Sequence, residues 1–300
     1  MLAAVARLPA GPGVYRFRDV GGRVLYVGRA VDLRRRVSSY WSDLRDRAHL
    51  APMVARIARV EAVACDSEHE AAWLERNLLA RRLAPWNRTP GGAEVPVYIR
   101  LDPGAAAPGL RVVHEQDLVP GLPWFGPYLG GRKVRCAVSA LHRVRPLAYA
   151  ADRLRGVERD MARALGVAPA DRERLVTAVT AVLAREPAAA AAVRAELIAR
   201  RDAAAHGLAF ELAATLQAEI EALDWVVSEQ KAALPAPDDF DVHGWAGGVL
   251  VGFEMRAGRL DAWRVRECSA PAAAARLAAT PPAWTAFAHR NAELAARLRS

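Results

Sequence analysis

Near the start of the chain, apolar and polar residues alternate in two short runs. These runs, 13–19 and 24–30, contain valine and aromatic residues and are separated by the turn-forming pair Gly21-Gly22. Alternation with a period of two places successive side chains on opposite faces of a strand. The pattern therefore predicts an antiparallel β-hairpin.

Helical periodicity follows the hairpin, with one further strand. The apolar residues of LRRRVSSYW, at 33–41, recur at intervals of four and three residues, which predicts a basic helix, and another short helix is expected over 50–59. A third strand is predicted over 60–65. Ser67 has the Ser-x-x-Glu spacing of a capping box and begins a further helix. The first 90 residues are thus expected to form a compact α+β domain.

The remaining chain is mainly helical, with two regions of strand character. Residues 91–109 are rich in Gly, Pro and Ala around the strand-like run VPVYIRL, and the run WFGPY follows at 124–128. Helical periodicity then continues to about residue 231, strands return around the turns at 247–248 and 257–258, and an Ala-rich helical tail follows. Five segments are expected: 1–90, 91–150, 151–190, 191–231 and 232–300.

Residues 191–231 have the pattern of a helical hairpin. The apolar residues of its second arm step by four and three, which is the a/d seam of a coiled coil. They are Ala209, Ala213, Leu216, Ile220, Leu223 and Val227. A hairpin of about 40 residues buries too little surface to be stable alone. It is expected either to pair with a partner or to pack against the rest of this chain.

The positive charge lies mostly in the first third of the chain. The chain has 42 Lys+Arg and 33 Asp+Glu, a net charge of +9. Residues 1–100 hold 17 of the Lys+Arg and 10 of the Asp+Glu, a net charge of +7. This balance suits a polyanionic partner such as nucleic acid, although a solvated basic face without a partner has the same composition. Three widely spaced cysteines exclude a disulfide scaffold and a four-cysteine metal site formed by this chain alone.

We expect a cytoplasmic protein without a membrane partner. Arg7 and Pro9 interrupt the apolar start, which does not fit a signal peptide. A run of about 20 apolar residues, which a membrane helix needs, does not occur in the sequence.

One carboxylate in the helix after Ser67 stands among apolar neighbours. The residues three and four positions before and after Glu75 are all Ala or Leu, so Glu75 lies on or beside the apolar face. A carboxylate there needs a cation, hydrogen-bond donors or a metal ion. The alternative is a glutamate at the edge of that face that reaches solvent or Arg82.

The order of motifs in the first 130 residues resembles that of a known nuclease domain. The hairpin carries GVY at 13–15 and YVG at 26–28, and Arg36, Glu75 and Asn87 follow. This order resembles the GIY-YIG nuclease domain, most closely that of the UvrC family. The stretches PAGPGVYRFRD, LYVGRAVDLRRRVSSYW, DSEHEAAWLERNLLARRLAPWN and WFGPY resemble UvrC segments in the same order. The resemblance implies an α+β fold with a three-stranded antiparallel sheet flanked by helices, and hydrolysis of DNA phosphodiester bonds.

The resemblance also implies a role for each side chain. Glu75 would hold a divalent ion, Mg²⁺ or Mn²⁺, with water completing its shell, and Arg36 would bind the phosphate. Tyr26 would activate or orient the attacking water. To act as a base, the tyrosine needs its pKa of about 10 to be lowered by nearby cations and metal. Tyr15 would support Tyr26, and Asn87 would bind near the phosphate or fix the site. The implied DNA-binding residues are Arg29, Arg34, Arg35, Arg36 and Asn87.

The sequence departs from the UvrC pattern at two places. Arg29 follows YVG where UvrC proteins usually carry lysine. Because a guanidinium cannot exchange a proton near neutral pH, we expect lowered rather than absent activity. The family's cysteine-bearing region is replaced by AYAADRLRGVERDMARALG, so no iron–sulfur cluster is expected.

The last two segments are also similar to parts of UvrC. GLAFELAATLQAEIEALDWVVSEQK resembles a UVR motif, which implies docking on a UvrB-like helicase. The implied docking residues are Phe210, Ala213, Leu216, Ile220 and Leu223. Residues 232–300 resemble the opening strands of a ribonuclease H-like domain without the parts that carry its catalytic carboxylates and histidine. The chain is therefore expected to keep only the site that cuts 3′ to a lesion.

Three functions remain open at this point. The favoured one is a metal-dependent endonuclease of nucleotide excision repair that acts on damaged double-stranded DNA presented by UvrB. The second is a weakly active or inactive adaptor that binds UvrB or DNA. The third is a GIY-YIG nuclease that does not need UvrB, in which 191–231 would fold back on the body of the protein.

Overall fold

The structure, a computed structural model, describes residues 2–42, 49–90 and 94–299. The chain forms two compact units, one from residues 1–93 with 229–300 and the other from 94–228. Within the described ranges, no single helix is long and apolar enough to cross a membrane. Only the bent pair of helices at 169–183 and 187–206 meets that test jointly, by length and composition.

The N-terminal part of the first unit is a three-stranded antiparallel sheet flanked by helices, as predicted. Its elements are α1 (Leu2–Ala6), β1 (Gly13–Arg18), β2 (Val24–Ala30), α2 (Leu33–Ser42), α3 (Ala51–Val54), β3 (Arg59–Ala64) and α4 (Glu68–Arg81). β1 is the central strand, between β2 and β3. The helix predicted over 50–59 is limited to α3, because the Ala58 N–H donates to the Arg18 carbonyl and the chain then pairs with β1.

Two glycines allow close packing around the hairpin. A Cβ on Gly28 would lie 2.5 Å from Tyr15 Oη and 2.8 Å from Tyr26 Cε1. A Cβ on Gly13 would lie 2.3 Å from the Val63 carbonyl oxygen. These separations are far inside van der Waals contact, so any larger residue would displace a tyrosine ring or β3. Gly28 thus leaves the space that the Tyr15 and Tyr26 rings fill, and Gly13 lets β3 approach β1.

The second unit is a three-stranded sheet with a helical bundle. Its elements are β4 (Val97–Asp102), β5 (Gly109–Val113), β6 (Trp124–Tyr128), α5 (Gly131–Val144), α6 (Gly156–Ala164), α7 (Arg172–Leu183), α8 (Pro187–His206) and α9 (Phe210–Val227). The strand order is β5-β4-β6. Helices α8 and α9 are the arms of the predicted hairpin. Its first arm begins at Pro187 rather than at 191, because proline is tolerated in the first turn of a helix.

The apolar seam of α9 is buried inside this unit. Leu216, Ile220 and Leu223 are at most 2% exposed and pack in a core to which α5 and α8 contribute. Ala213 is partly buried against the same core. Packing within the unit covers these four residues in this structure, so their docking on a partner stays a prediction that would require this packing to open. Phe210, the fifth of the implied docking residues, is 66% exposed and remains accessible.

A buried ion pair fastens α9 to α5. Glu219 is 1% exposed and accepts hydrogen bonds from Arg143 Nε at 2.7 Å, Arg143 Nη2 at 2.9 Å and Ser139 Oγ at 2.8 Å. A buried carboxylate is tolerated when it is paired and hydrogen-bonded in this way. The pair fixes the register of the internal seam.

Residues 229–299 belong to the same compact unit as the N-terminal domain. They form β7 (Phe240–Ala246), β8 (Val249–Arg256), β9 (Arg259–Glu267), α10 (Ala270–Ala278) and α11 (Pro282–Arg299), with strand order β7-β8-β9. The predicted turns at 247–248 and 257–258 connect the strands, and all four residues have φ between 46° and 78°, as two-residue hairpin turns require. Helix α11 packs on β3, β7 and β8.

Two asparagines join the C-terminal segment to α4 and β3. Asn77 Nδ2 donates to the carbonyl oxygens of Ala232 at 2.8 Å and Leu260 at 3.2 Å. Asn291 Oδ1 accepts from the Ala64 N–H at 2.7 Å, and its Nδ2 donates to the Ala64 carbonyl at 3.2 Å. These bonds add to the partners of backbone groups at the contact, since the Ala232 carbonyl also accepts from the Leu260 N–H at 3.0 Å and the Ala64 carbonyl from Arg290 Nη2 at 3.4 Å. The segment is therefore a structural part of the N-terminal domain.

Candidate active site

Three tyrosines and a phenylalanine form an aromatic cluster beside the hairpin. Tyr15 and Phe17 project from one face of β1, and Tyr26 of β2 stands opposite Phe17. Tyr40 of α2 completes the cluster, with its ring centroid 4.9 Å from that of Phe17, 6.0 Å from Tyr15 and 6.2 Å from Tyr26. The hydroxyls of Tyr15 and Tyr40 are hydrogen-bonded at 2.8 Å. The sheet and α2 thus bring three hydroxyl groups together.

Arg36 lies beside this cluster on an exposed turn of α2. Asp32 caps the helix, since its Oδ1 accepts from the Arg35 N–H at 2.8 Å and its carbonyl accepts from the Arg36 N–H at 3.0 Å. The guanidinium carbon of Arg36 is 5.8 Å from the centre of the Tyr40 ring. An exposed guanidinium next to hydroxyl groups is suited to a phosphate oxygen.

The hydroxyls of Tyr15 and Tyr26 are held in their neutral form. Burial raises the pKa of Tyr15 and of Tyr26 well above the usual value, and the neighbouring Tyr40 raises both further. Arg36 acts in the opposite direction but is a smaller influence. The lowered pKa that a tyrosine base needs is therefore not produced by these side chains. Tyr26 is suited to orienting a water molecule as a hydrogen-bonding hydroxyl.

Glu75 of α4 faces β2 and is bound there by Arg29. The Arg29 backbone N–H donates to Glu75 Oε1 at 3.2 Å, and Arg29 Nε lies 3.4 Å from Oε2. The Glu75 side chain is 23% exposed, so solvent still reaches the carboxylate. Arg29 thus supplies Glu75 with two of the partners that the sequence left open, a cation through its guanidinium and a hydrogen-bond donor through its backbone N–H.

Asn87 holds the strand that carries Tyr26. Its Oδ1 accepts from the Val27 N–H at 3.0 Å, and its Nδ2 donates to the Val27 carbonyl at 2.8 Å. Both ends of the carboxamide are therefore engaged with the backbone. Of the two roles the sequence left open for Asn87, this geometry favours fixing the site over binding DNA.

The arginines before Arg36 differ in their surroundings. Arg34 Nε donates to the Leu8 carbonyl at 2.7 Å, which ties α2 to the start of the domain. Arg35 is exposed. Arg35 is consequently the better placed of the two to contact DNA.

Tyr40 is a site residue that the sequence reasoning missed. Its place seven residues after Leu33 marked it only as part of the apolar face of α2. A usable signal was present, because Tyr40 follows Arg36 by four residues and therefore lies next to it on the helix surface. A buried hydroxyl must find a polar partner, and the partner of Tyr40 is Tyr15.

The N-terminal domain is similar to a known family, and the similarity to relatives extends along most of the chain. A family model described as "UvrC-like GIY-YIG domain" matches residues 11–87. The chain is 31% identical over 256 residues to UvrABC system protein C of Nitratidesulfovibrio vulgaris, covering 80% of this chain and 36% of that protein. It is 33% identical over 267 residues to the protein of the same name from Symbiobacterium thermophilum, covering 84% and 42%. The chain thus spans about two fifths of these relatives.

A solved structure also matches the N-terminal domain. It is the GIY-YIG N-terminal endonuclease domain of UvrC from Thermotoga maritima bound to its catalytic divalent cation, magnesium. The match has 28% sequence identity and a TM-score of 0.25, and it covers 28% of this chain and 91% of that one. On the family model and the sequence relatives together, residues 11–87 of this chain belong to the UvrC-like GIY-YIG endonuclease domains.

Proposed function

We propose that this chain is a divalent-metal-dependent DNA endonuclease of nucleotide excision repair that makes an incision 3′ to a lesion. The observation that carries the proposal is the meeting of Arg36, the tyrosine hydroxyls and Glu75 around the hairpin. Membership of residues 11–87 in the UvrC-like GIY-YIG domains supports the same activity. So do the relatives called UvrABC system protein C.

Arg36 would bind the phosphate that is cut. Phosphodiester hydrolysis develops negative charge on the phosphate oxygens, and a fixed cation beside them lowers the barrier. Arg36 is exposed, keeps its charge at all physiological pH values and offers two parallel N–H donors. Tyr40 supports its position from four residues further along α2.

Tyr26 would orient the attacking water. Its hydroxyl is neutral, so it can donate one hydrogen bond and accept another. Tyr15 and Tyr40 hold the neighbouring hydroxyls in place through their own 2.8 Å bond. Removal of the Tyr15 or the Tyr40 hydroxyl would leave the other without this bond, while the packing of the three rings remains.

Glu75 would be the metal ligand. Within the described ranges, no group of three or more His, Cys, Asp and Glu side chains is placed to hold a metal ion. A single carboxylate nevertheless fits Mg²⁺ or Mn²⁺, since Mg²⁺ keeps several of its waters in protein sites. The bound ion would neutralise phosphate charge and assist the leaving oxygen. An ion can bind to Glu75 Oε2 only if the Arg29 side chain moves away from that oxygen.

Damaged double-stranded DNA and a UvrB-like helicase are the proposed partners, in the cytoplasm. The net charge of +7 on residues 1–100 supports binding to the DNA backbone. A partner would contact the turn between α8 and α9, where Leu208, Phe210 and Leu212 are 73%, 66% and 44% exposed. The buried seam of α9 is unavailable for this purpose.

A nuclease that does not need UvrB is a second candidate function. The observation that favours it is the burial of Leu216, Ile220 and Leu223, which gives the helical hairpin an internal packing surface. In that case the exposed apolar residues of the turn have no part in cleavage. A weak or inactive adaptor is favoured only by the contact of Arg29 with Glu75.

Cleavage of an end-labelled duplex with one bulky lesion distinguishes the candidates. The protein would be incubated with Mg²⁺, with and without UvrB, and compared with its Phe210→Ser variant. A nick 3′ to the lesion that needs UvrB and Phe210 is the expected result. A nick without UvrB would establish the second candidate, and UvrB binding without any nick would establish the adaptor.

A further inference from the structure

A polar groove lies on the C-terminal sheet, on the face opposite α11. It has a volume of about 250 Å³ and is formed by residues of β7, β8, β9 and α10. Val242 and Gly244 point to α11 from the other face of β7, where a Cβ on Gly244 would meet the Ala288 carbonyl oxygen at 2.0 Å. The groove residues alternate with these and lie towards solvent. The proposed nuclease site does not use any of them.

One row of paired residues across the three strands forms the floor of the groove. His243 of β7 stands opposite Gly252 of β8, which stands opposite Arg264 of β9. Gly252 has no side chain, and a Cβ there would lie 3.2 Å from both Cδ2 and Nε2 of the His243 ring. A larger residue would therefore press on the ring and fill the depression between His243 and Arg264.

The carboxylates of the groove are already neutralised. Asp241 Oδ1 lies 2.8 Å from Arg256 Nη2. Glu254 binds Arg81 at 2.9 Å through Oε2 and Arg264 at 2.5 Å through Oε1. The groove consequently has little negative charge left to repel an anion.

Two further arginines lie at the groove without a carboxylate partner among the described residues. They are Arg266 of β9 and Arg276 of α10, and both are exposed. Burial lowers the pKa of His243, Asp241 opposes this shift, and Arg276 and Arg266 add to it. His243 and both arginines line the same groove. The neutral ring makes no hydrogen bond to the described protein groups and keeps an N–H donor for a ligand. Three donor groups thus converge on one place.

We propose that this groove binds a backbone phosphate of DNA through Arg266, Arg276 and His243. Arginines suit phosphate oxygens because their N–H donors match the oxygens in pairs. A small nucleotide is a poorer fit, since such pockets carry an apolar slot for the base. Here the apolar lining is limited to Leu250 and the 1%-exposed Phe253.

This inference rests on the proposed function, because a nuclease that acts on any sequence needs contacts to the DNA backbone. Contacts to phosphate position a protein on DNA without reading sequence. The groove belongs to the compact unit that contains the nuclease site. It would therefore anchor the same duplex that Arg36 binds, and its loss should weaken binding without slowing the chemical step.

Binding is best measured by fluorescence anisotropy with a labelled duplex and Glu75→Gln protein, which leaves the DNA intact. The double variant Arg266→Ala/Arg276→Ala should raise Kd on the order of tenfold at about 0.1 M salt and lower the slope of log K against log salt by about two. Arg266→Lys/Arg276→Lys should recover most of the slope. The matched control Arg23→Ala/Arg297→Ala removes the same charge outside the groove and should leave Kd within about twofold.

Equal losses in the groove variant and the control would overturn the proposal, because net charge alone would then explain binding. Binding of inorganic phosphate by the groove, with DNA affinity unchanged in the groove variant, would also overturn it. A separate single-turnover cleavage assay with Glu75 intact tests the proposed function. Absence of cleavage, with DNA binding that depends on Arg266 and Arg276, would refute the nuclease and leave the groove standing.

Discussion

Arg29 binds Glu75 with two groups, its backbone N–H at 3.2 Å from Oε1 and its Nε at 3.4 Å from Oε2. The backbone contact holds Oε1 of the carboxylate, whereas the side-chain contact occupies Oε2. The same residue thus positions the proposed metal ligand and competes with the metal for it. This competition gives a physical reason for lower activity that is independent of proton transfer.

Replacement of Arg29 by lysine should raise activity. Arg29→Lys keeps the backbone N–H and the positive charge but removes the planar guanidinium, and a lysine can exchange its proton more readily. We expect the Mg²⁺ concentration for half-maximal cleavage to fall and the rate to rise by roughly tenfold or less. The control Arg23→Lys should change neither quantity. A Mg²⁺ requirement that Arg29→Lys leaves unchanged would show that Arg29 does not compete with the ion.

Loss of the Tyr40 hydroxyl should slow cleavage far more than it weakens the fold. Tyr40→Phe removes the 2.8 Å bond to Tyr15 and leaves the ring packing in place. The expected loss is about 100-fold in the single-turnover rate and about 1 kcal/mol in the free energy of unfolding. The control Tyr149→Phe lies in the second unit and should preserve the rate. If Tyr40→Phe cleaved at the parent rate, Tyr40 would be a packing residue only.

The contact of Asn77 with the C-terminal segment should be a major source of stability. Asn77→Leu removes a donor from the buried Leu260 and Ala232 carbonyls, of which the second keeps the Leu260 N–H at 3.0 Å. We expect urea denaturation to show a loss of about 1 to 3 kcal/mol. Arg81→Ala removes exposed ion pairs with the same segment and should cost under about 1 kcal/mol. Equal effects of the two variants would contradict the assigned role of Asn77.

Glu70 should make the first unit less stable as pH rises towards neutrality. Burial raises its pKa to about 7, although the N–H groups of Asp66 and Lys231 oppose the shift. Between the unfolded pKa of about 4.3 and this value, the folded state holds the proton and the unfolded state releases it, so the free energy of unfolding falls with pH. The fall attributable to Glu70 is on the order of 3 kcal/mol and complete above pH 7.

Comparison with Glu70→Gln isolates this contribution. The glutamine cannot ionise, so its free energy of unfolding should be flatter than that of the parent protein between about pH 4 and 7. The difference curve between the two proteins, from urea titrations at each pH, is the relevant measurement. A parallel pair of curves would mean that Glu70 ionises alike in both states.

The hairpin and its helices could be predicted from the sequence because their signals are local. The alternation around Gly21-Gly22 and the cap at Ser67 both lie within a few residues of the structure they define. The capping signal also shows the limit of local reasoning. The Glu70 carboxylate binds the Asp66 and Lys231 N–H groups, the second from 161 residues away.

The partners of Glu75 and of the α9 seam could not be predicted for a related reason. Arg29 and Glu75 are 46 residues apart, and their meeting depends on how α4 packs on β2. The a/d pattern of α9 showed which side chains seek burial but not which surface covers them. The covering surfaces are α5 and α8, and the buried contact of Glu219 with Arg143 joins α9 to the first of them.

Glu75 is the residue proposed to hold the metal ion used to cut DNA. We would compare single-turnover cleavage and duplex binding by the parent protein and Glu75→Gln across a Mg²⁺ titration. We expect Glu75→Gln to lose cleavage by a factor on the order of 1,000 or more and to bind DNA within about twofold of the parent. Cleavage by Glu75→Gln at the parent rate and with the parent Mg²⁺ requirement would contradict this role of Glu75.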